Sequence, residues 1–205
     1  MYPQQFEPGD YYYLDQEPQT PPKKSFIKAS LHLMREVLET IVPAILIALL
    51  INLFLAQATR VYGQSMEPNL HTDQRLVVEK LSYNRHLRHY LGLSGPQRGD
   101  VVVIRLHAQS DELLIKRVIG LPGDIVEIHD GQVFVNGQAL TEPYLAGATT
   151  GFYAPTTIPP LQIFVLGDNR GFSNDSRSFG TVPLEDVIGR AWFSYWPIGQ
   201  IGFVR

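Results

Sequence analysis

The chain has 205 residues, 44% of them hydrophobic, and a formal net charge of −3, enough to bury one good-sized core and little more than one domain. Its 17 Lys and Arg against 20 Asp and Glu form no long basic block, and no finger, RNP or Walker pattern occurs, which argues against nucleic acid as a partner. The lack of cysteine removes disulfides, zinc ribbons and thiol catalysis; it is compatible with an extracytoplasmic chain but does not fix the compartment.

Residues 1–24, MYPQQFEPGDYYYLDQEPQTPPKK, are rich in Pro, Gln and Tyr without a sustained apolar period, and read as a disordered tail. From Ser25 the pattern turns helical: SFIKASLHLMREVLET is an amphipathic lead-in, and IVPAILIALLINLFLA, Ile41 to Ala56, is apolar apart from Asn52. That run rises about 24 Å as a helix, and extending it back through Val37 and Leu38 brings it to the roughly 30 Å of a hydrocarbon core. Residues 25–57 are therefore expected to hold one transmembrane helix. Lys23, Lys24, Lys28 and Arg35 precede the apolar run, while Arg60 and Arg75 are the only strong positive charges in the twenty residues after it. The positive-inside rule places the N-terminus in the cytoplasm and residues 58–205 on the far side.

Beyond residue 58 the chain reads as strands and turns. RLVVEKL, DVVVIRL, ELLIKRVIG, DIVEI, QVFVNGQAL, QIFVLGD and AWFSYWPI are short runs rich in β-branched residues and separated by Gly, Pro, Asn and Asp, the signature of an all-β domain. Asn136-Gly137 predicts a tight hairpin and Asp130-Gly131 a turn before it, making residues 125–141 a small meander. Residues 142–160 carry few strand signals and read as a loop or a small cap, so 125–163 is expected to be a hairpin and cap insertion. Leu81 to Leu91 suits a short helix.

Three stretches hold candidate chemistry. In VYGQSMEPNL, Ser65 sits where an extended segment turns, and reads either as a turn serine satisfying backbone groups or as a nucleophile in need of a base. The six histidines, His32, His71, His86, His89, His107 and His129, form no H-E-x-x-H arrangement, and GQSME is not a G-x-S-x-G elbow. Lys116 in DELLIKRVIGLPGD is the better base. As a strand residue it shares a face with Leu114 and Val118, opposite Ile115, Arg117 and Ile119; it either snorkels to solvent or is desolvated enough to act as a base. LGDNRGFSNDSRSFGTVP, with Asp168, Arg170, Asp175 and Arg177, is either a polar surface loop or a source of orienting groups.

In their order along the chain, GQSMEPNL, RGDVVVIR, IKRVIGLPGD and GDNRGFSNDSRSFG resemble the type I signal peptidases, or leader peptidases. The resemblance runs from the apolar segment to about Gly189. It implies a mainly β fold: a signal-peptidase-like antiparallel β catalytic domain over 58–205 with a small cap, preceded by one transmembrane helix. It also implies no metal and no cofactor, with Ser65 as nucleophile and Lys116 as general base. Ser173 would bond the lysine amine, and Asp168 with Arg117 and Asp175 with Arg177 would form structural ion pairs. Substrate would bind extended, beside Gln64 and Met66 on one side and Leu114 and Ile115 on the other, with shallow pockets for small residues. Three positions depart from the family's pattern. Gly63 stands where some members carry an oxyanion-stabilising hydroxyl, leaving backbone N–H groups, Ser65's own included, to do more. Asn69 replaces the commoner Thr after Pro68, and Phe172 replaces the Asn that often precedes the serine.

The implied activity is removal of N-terminal signal peptides from preproteins after an A-x-A-like site. Ser65 lies about eight residues beyond the apolar run, within about 29 Å of the membrane even if the chain between is fully extended. The implied location is the plasma or inner membrane, or an internal membrane such as the thylakoid, with the bilayer and signal peptides as partners and the oligomeric state open. The alternative is a catalytically silent, membrane-anchored relative that binds exported peptides without cutting them. A self-cleaving repressor-type peptidase also uses Ser and Lys, but this chain carries no DNA-binding head.

Overall fold

The computed structural model describes residues 23–50, 56–84, 89–90, 92–106 and 113–204, with only the backbone for 23–27. Residues 1–22 of the expected tail, residues 85–88 and 91 of the 81–91 segment, His86 and His107 lie outside the described residues; Lys23 and Lys24 begin a helix, and residues 81–83 form a turn. The chain divides into two units after Ile47.

The described residues of the first unit belong to a helix, α1, which spans Lys23–Leu50. From Lys28 to Leu50 every side chain is exposed, the Leu, Ile and Val residues included. Among the described residues no helix is long and apolar enough to cross a membrane; of the expected 25–57 segment, residues 51–55 lie outside them, and Ala56 and Gln57 belong to a strand rather than to the helix, paired with Glu79 and Val78.

The second unit is built from two antiparallel sheets. The larger contains β1 (Ala56–Arg60), β2 (Arg75–Glu79), β3 (Val101–Arg105), β4 (Leu113–Gly120), β9 (Gln162–Leu166), β10 (Val182–Pro183), β11 (Val187–Trp196) and β12 (Gly202–Phe203). Its order is β1-β2-β11-β3-β4-β9-β10, with β12 paired to β11. The smaller has the order β7-β6-β5-β8, from β5 (Ile125–His129), β6 (Gln132–Val135), β7 (Gln138–Ala139) and β8 (Tyr153–Thr157).

Strand alternation distributes the apolar side chains among three cores. Val101 and Val103 of β3 enter one core, together with Val61, Met66 and Leu70, while Val102 and Ile104 enter a second. In β9, Ile163 and Val165 join the second core, and Phe164 and Leu166 join a third between the two sheets. β3 and β9 are thus covered on both faces, which is why they read as continuous apolar runs. Each fully buried Val, Ile or Leu contributes about 1.5–3 kcal/mol relative to exposure.

The turns at Asp130-Gly131 and Asn136-Gly137 lie where the sequence predicts them, with Asp130 and Asn136 at φ 50 and 54. The segment expected to be loop or cap is partly strand: β8 pairs with β5 at the edge of the small sheet. Pro155 is tolerated there because an edge strand can spare a backbone donor.

Candidate active site

The turn that carries Ser65 continues the β1–β2 hairpin. Val61 N–H donates to Gln74 O at 2.9 Å and Asp73 N–H to Val61 O at 3.0 Å. The chain then winds through bonds from Glu67 N–H to Gln64 O and from Asn69 and Leu70 N–H to Met66 O. Met66 and Leu70, one helical turn apart, are buried in the core and pin this winding. Ser65 is left half-buried between exposed Gln64 and buried Met66.

Lys116 comes from the middle of β4, paired with Val102 of β3. It is 2% exposed, and its Nζ is joined to Ser65 Oγ by a 2.7 Å hydrogen bond. Burial pulls the Lys116 ammonium down to about 8; Arg177 acts in the same direction, and Asp175 and Asp168 oppose it. The neighbouring Leu113 and Ile115 pack on one core and Leu114 and Val118 on another, the alternation the sequence predicts.

Around this pair lie two buried ion pairs. Arg117 Nε and Nη2 donate to the two Asp168 oxygens at 2.7 and 2.6 Å, and Arg117 Nη1 donates to Gly99 O. Asp175 caps the one-turn helix Ser176–Phe179. It receives Arg177 Nε and Nη2, both at 2.8 Å, and the Gly167 N–H at 3.1 Å.

Two of the sequence expectations take a different form. Ser173 Oγ is buried without a hydrogen-bond partner among the described residues, so its expected bond to the Lys116 amine is not made. Met66 and Ile115 are 1% and 8% exposed within the core; their side chains support the site from beneath rather than lining a groove. Gln64 is exposed and Leu114 half-buried. Gly63 lies at φ 78, and a Cβ added to it would meet nothing within 4 Å, so this position is glycine for conformation rather than for space.

Sequence reasoning missed Gly167 and a set of groups beside Asp168. A Cβ on Gly167 would collide with Ser173 Oγ and lie 2.5 Å from the Ser65 carbonyl oxygen. The same carbonyl accepts the Asn169 N–H at 3.0 Å. A glycine ending a β-branched strand is the signal that could have revealed this close approach. The other set joins Glu142 and Tyr144, which no local pattern announces, to Asn69 and Arg170, which the sequence singles out without linking them to these two.

A serine hydroxyl bonded to a buried amine with a depressed pKa can lose its proton without histidine or metal. On a mainly β scaffold this defines the class: a β-rich serine peptidase. The family model described as signal peptidase, peptidase S26, matches residues 34–196. A probable signal peptidase I-2 from Synechocystis sp. is 40% identical over 174 residues, covering 82% of this chain and 76% of that protein. A signal peptidase I from Leptolyngbya laminosa is 40% identical over 195 residues, covering 90% and 92%. A solved signal peptidase I from Enterococcus faecalis is 35% identical and superposes with a TM-score of 0.44, covering 47% of this chain and 97% of that one. The chain belongs to the signal peptidase family, peptidase S26.

Proposed function

We propose that this chain is a membrane-anchored serine endopeptidase that removes N-terminal signal peptides from exported preproteins, with Ser65 as nucleophile and Lys116 as general base. The observation that carries the reading is the 2.7 Å bond between Lys116 Nζ and Ser65 Oγ, made by a lysine only 2% exposed. The 40% identity to the Leptolyngbya laminosa signal peptidase I supports the substrate class.

Neutral Lys116 takes the Ser65 proton as Oγ attacks the scissile carbonyl, and then gives it to the leaving amine. The acyl-enzyme is opened by a water that Lys116 deprotonates, and the proton returns to Ser65 as the acid leaves. The Ser65 N–H has no partner among the described residues and is available to the oxyanion. The Arg117–Asp168 and Asp175–Arg177 pairs fix the strand and loop on either side, with Ser173 against Gly167 completing the wall. Substrate lies extended beside Gln64 and the outer edge of Leu114.

α1, with apolar side chains exposed from Leu31 to Leu50, is read as part of a single membrane anchor. Lys23, Lys24, Lys28 and Arg35, which lie within α1 ahead of its apolar stretch, keep the N-terminus cytoplasmic and the β domain extracytoplasmic. The host membrane is the plasma or inner membrane, or a thylakoid-like internal one.

Purified full-length protein in detergent tests the reading with a preprotein substrate. Ser65→Ala and Lys116→Ala are expected to abolish cleavage; normal cleavage by either would overturn the assignment.

A further inference from the structure

The segment from Glu142 to Thr150 is tied to all three stretches that carry the site. Glu142 forms a buried bidentate pair with Arg170, through Nη2 at 2.5 Å and Nη1 at 3.1 Å, with side chains 6% and 3% exposed. Tyr144 donates its hydroxyl to Glu142 Oε1 at 2.6 Å and lays its ring 4.0 Å from the Arg117 guanidinium carbon. Asn69 Nδ2 donates to Tyr144 O at 2.8 Å and to Asp168 Oδ2 at 2.9 Å. Thr149 Oγ1 accepts from Arg170 Nη1, and Arg177 Nη1 donates to Thr150 O.

None of these bonds reaches Ser65 or Lys116. They end one step away on each side: Asn69 belongs to the Ser65 turn, and Arg117 follows Lys116. Arg170 closes a second route, because its Nε donates at 3.0 Å to the carbonyl of Gly167, the residue packed on the Ser65 carbonyl. A cation beneath an aromatic face and a buried, fully paired carboxylate both resist displacement. The Ser65 turn is also held to β4 by the core that Met66 and Leu70 share with Leu113 and Ile115; the bonds of Asn69 and Tyr144 add a polar tie between the turn and Arg117 that this apolar packing does not supply.

We propose that residues 142–150 are a positioning strap, in which Glu142, Tyr144 and Asn69 lock the Ser65 turn to the strand that carries Lys116. The inference rests on the Ser65–Lys116 reading and deepens it. Asn69 is then a working part of this chain's site. A displacement of about 1 Å between nucleophile and base is enough to cost on the order of a hundredfold in rate.

The test is carried out on the full-length protein in detergent, measuring kcat, KM, the pH profile of kcat and Tm. Tyr144→Leu removes the ring from Arg117, and Asn69→Ala removes both side-chain bonds from the turn. Each is expected to lower kcat by about ten- to a hundredfold with KM within about twofold. Each also moves the acid limb to higher pH, because a loosened site lets water resolvate the Lys116 ammonium. Asp168, Asp175 and Arg177, the charged groups acting on Lys116, are unchanged in both variants. Tyr144→Phe, which keeps the ring, rescues most of the loss.

Wild-type kcat and an unmoved limb, with or without a lower Tm, would overturn the strap. Asn69→Ala, at an exposed position, decides the matter should Tyr144→Leu not fold. Ser65→Ala and Lys116→Ala run alongside: cleavage retained in them overturns the dyad, whereas cleavage lost in them and unchanged in the strap variants overturns the strap alone.

Discussion

Gly167 and Ser65 approach so closely that a single methyl group on Gly167 would lie 2.5 Å from the Ser65 carbonyl oxygen. The side-chain atom nearest to that methyl group, Ser173 Oγ, is itself buried, so neither neighbour can step aside. Gly167→Ala is therefore expected to push the Ser65 turn away from Lys116. Overpacking of this kind costs about 1–3 kcal/mol of stability. The fall in kcat should be larger than the stability loss implies, about a hundredfold for a shift near 1 Å. Urea unfolding and peptide cleavage on the same sample check both parts, and wild-type kcat would show that the turn has room.

The pH dependence of cleavage follows from Lys116. With its ammonium pulled down to about 8 by burial, the neutral form that can act as base is about half populated at pH 8 and a tenth at pH 7. The kcat profile should rise tenfold per pH unit below that point and flatten above it. A limb near the ordinary lysine value of 10.5 would mean that the amine is solvated during turnover.

The same depression has a stability consequence of definite sign. Between about 8 and 10.5 the unfolded chain binds the Lys116 proton and the folded one does not, so stability rises with pH across that window. The contribution is fully present above 10.5 and lost as the pH falls through about 8; 2.5 units correspond to roughly 3 kcal/mol. Lys116→Met should be inactive and, at pH 7, more stable than wild type by about 1–3 kcal/mol, an advantage that shrinks toward pH 10.5. The difference between the two unfolding free energies, measured across that range, isolates the lysine.

The buried Arg117–Asp168 pair beside Lys116 makes the opposite prediction. Asp168→Ala leaves the Arg117 guanidinium, 2% exposed, without the carboxylate that receives two of its donors. Removing one partner of such a pair typically costs about 3–5 kcal/mol. Chemical denaturation should show that loss, and a change under 1 kcal/mol would mean that the Tyr144 face and the Gly99 carbonyl suffice.

Most of the β framework is legible in the sequence because alternation is a property of consecutive residues: Leu76 and Val78, or Val126 and Ile128, declare one buried face each. AQATR and YAPTT form strands β1 and β8 without that pattern, since both lie at sheet edges where neighbours supply the pairing. Ser65 and Lys116 are legible through their residue types and motif order. The bond from Asn69 to Tyr144 spans 75 residues, and the Glu142–Arg170 pair 28. Such contacts follow from how the small sheet and its loop return over β4, which no local period encodes. Met66 enters the core instead of a substrate groove because adjacent side chains in a turn point apart, so its position beside Ser65 in sequence does not place it beside the substrate.

Gly63, two residues before Ser65, bears on how the proposed oxyanion site is built. At φ 78 the backbone occupies a region that costs a non-glycine residue roughly 1–2 kcal/mol, although the space around it is empty. Gly63→Ser therefore fits sterically but relaxes toward negative φ, turning the following peptide and with it the Ser65 N–H. If backbone N–H groups hold the oxyanion, losing their alignment costs more than the new hydroxyl returns, and one misplaced donor is worth about a hundredfold or more. The expected result is a lower kcat with the acid limb still near 8, because Lys116 remains buried. A Gly63→Ser enzyme faster than wild type would show instead that the turn keeps its shape and that the missing hydroxyl limits the rate.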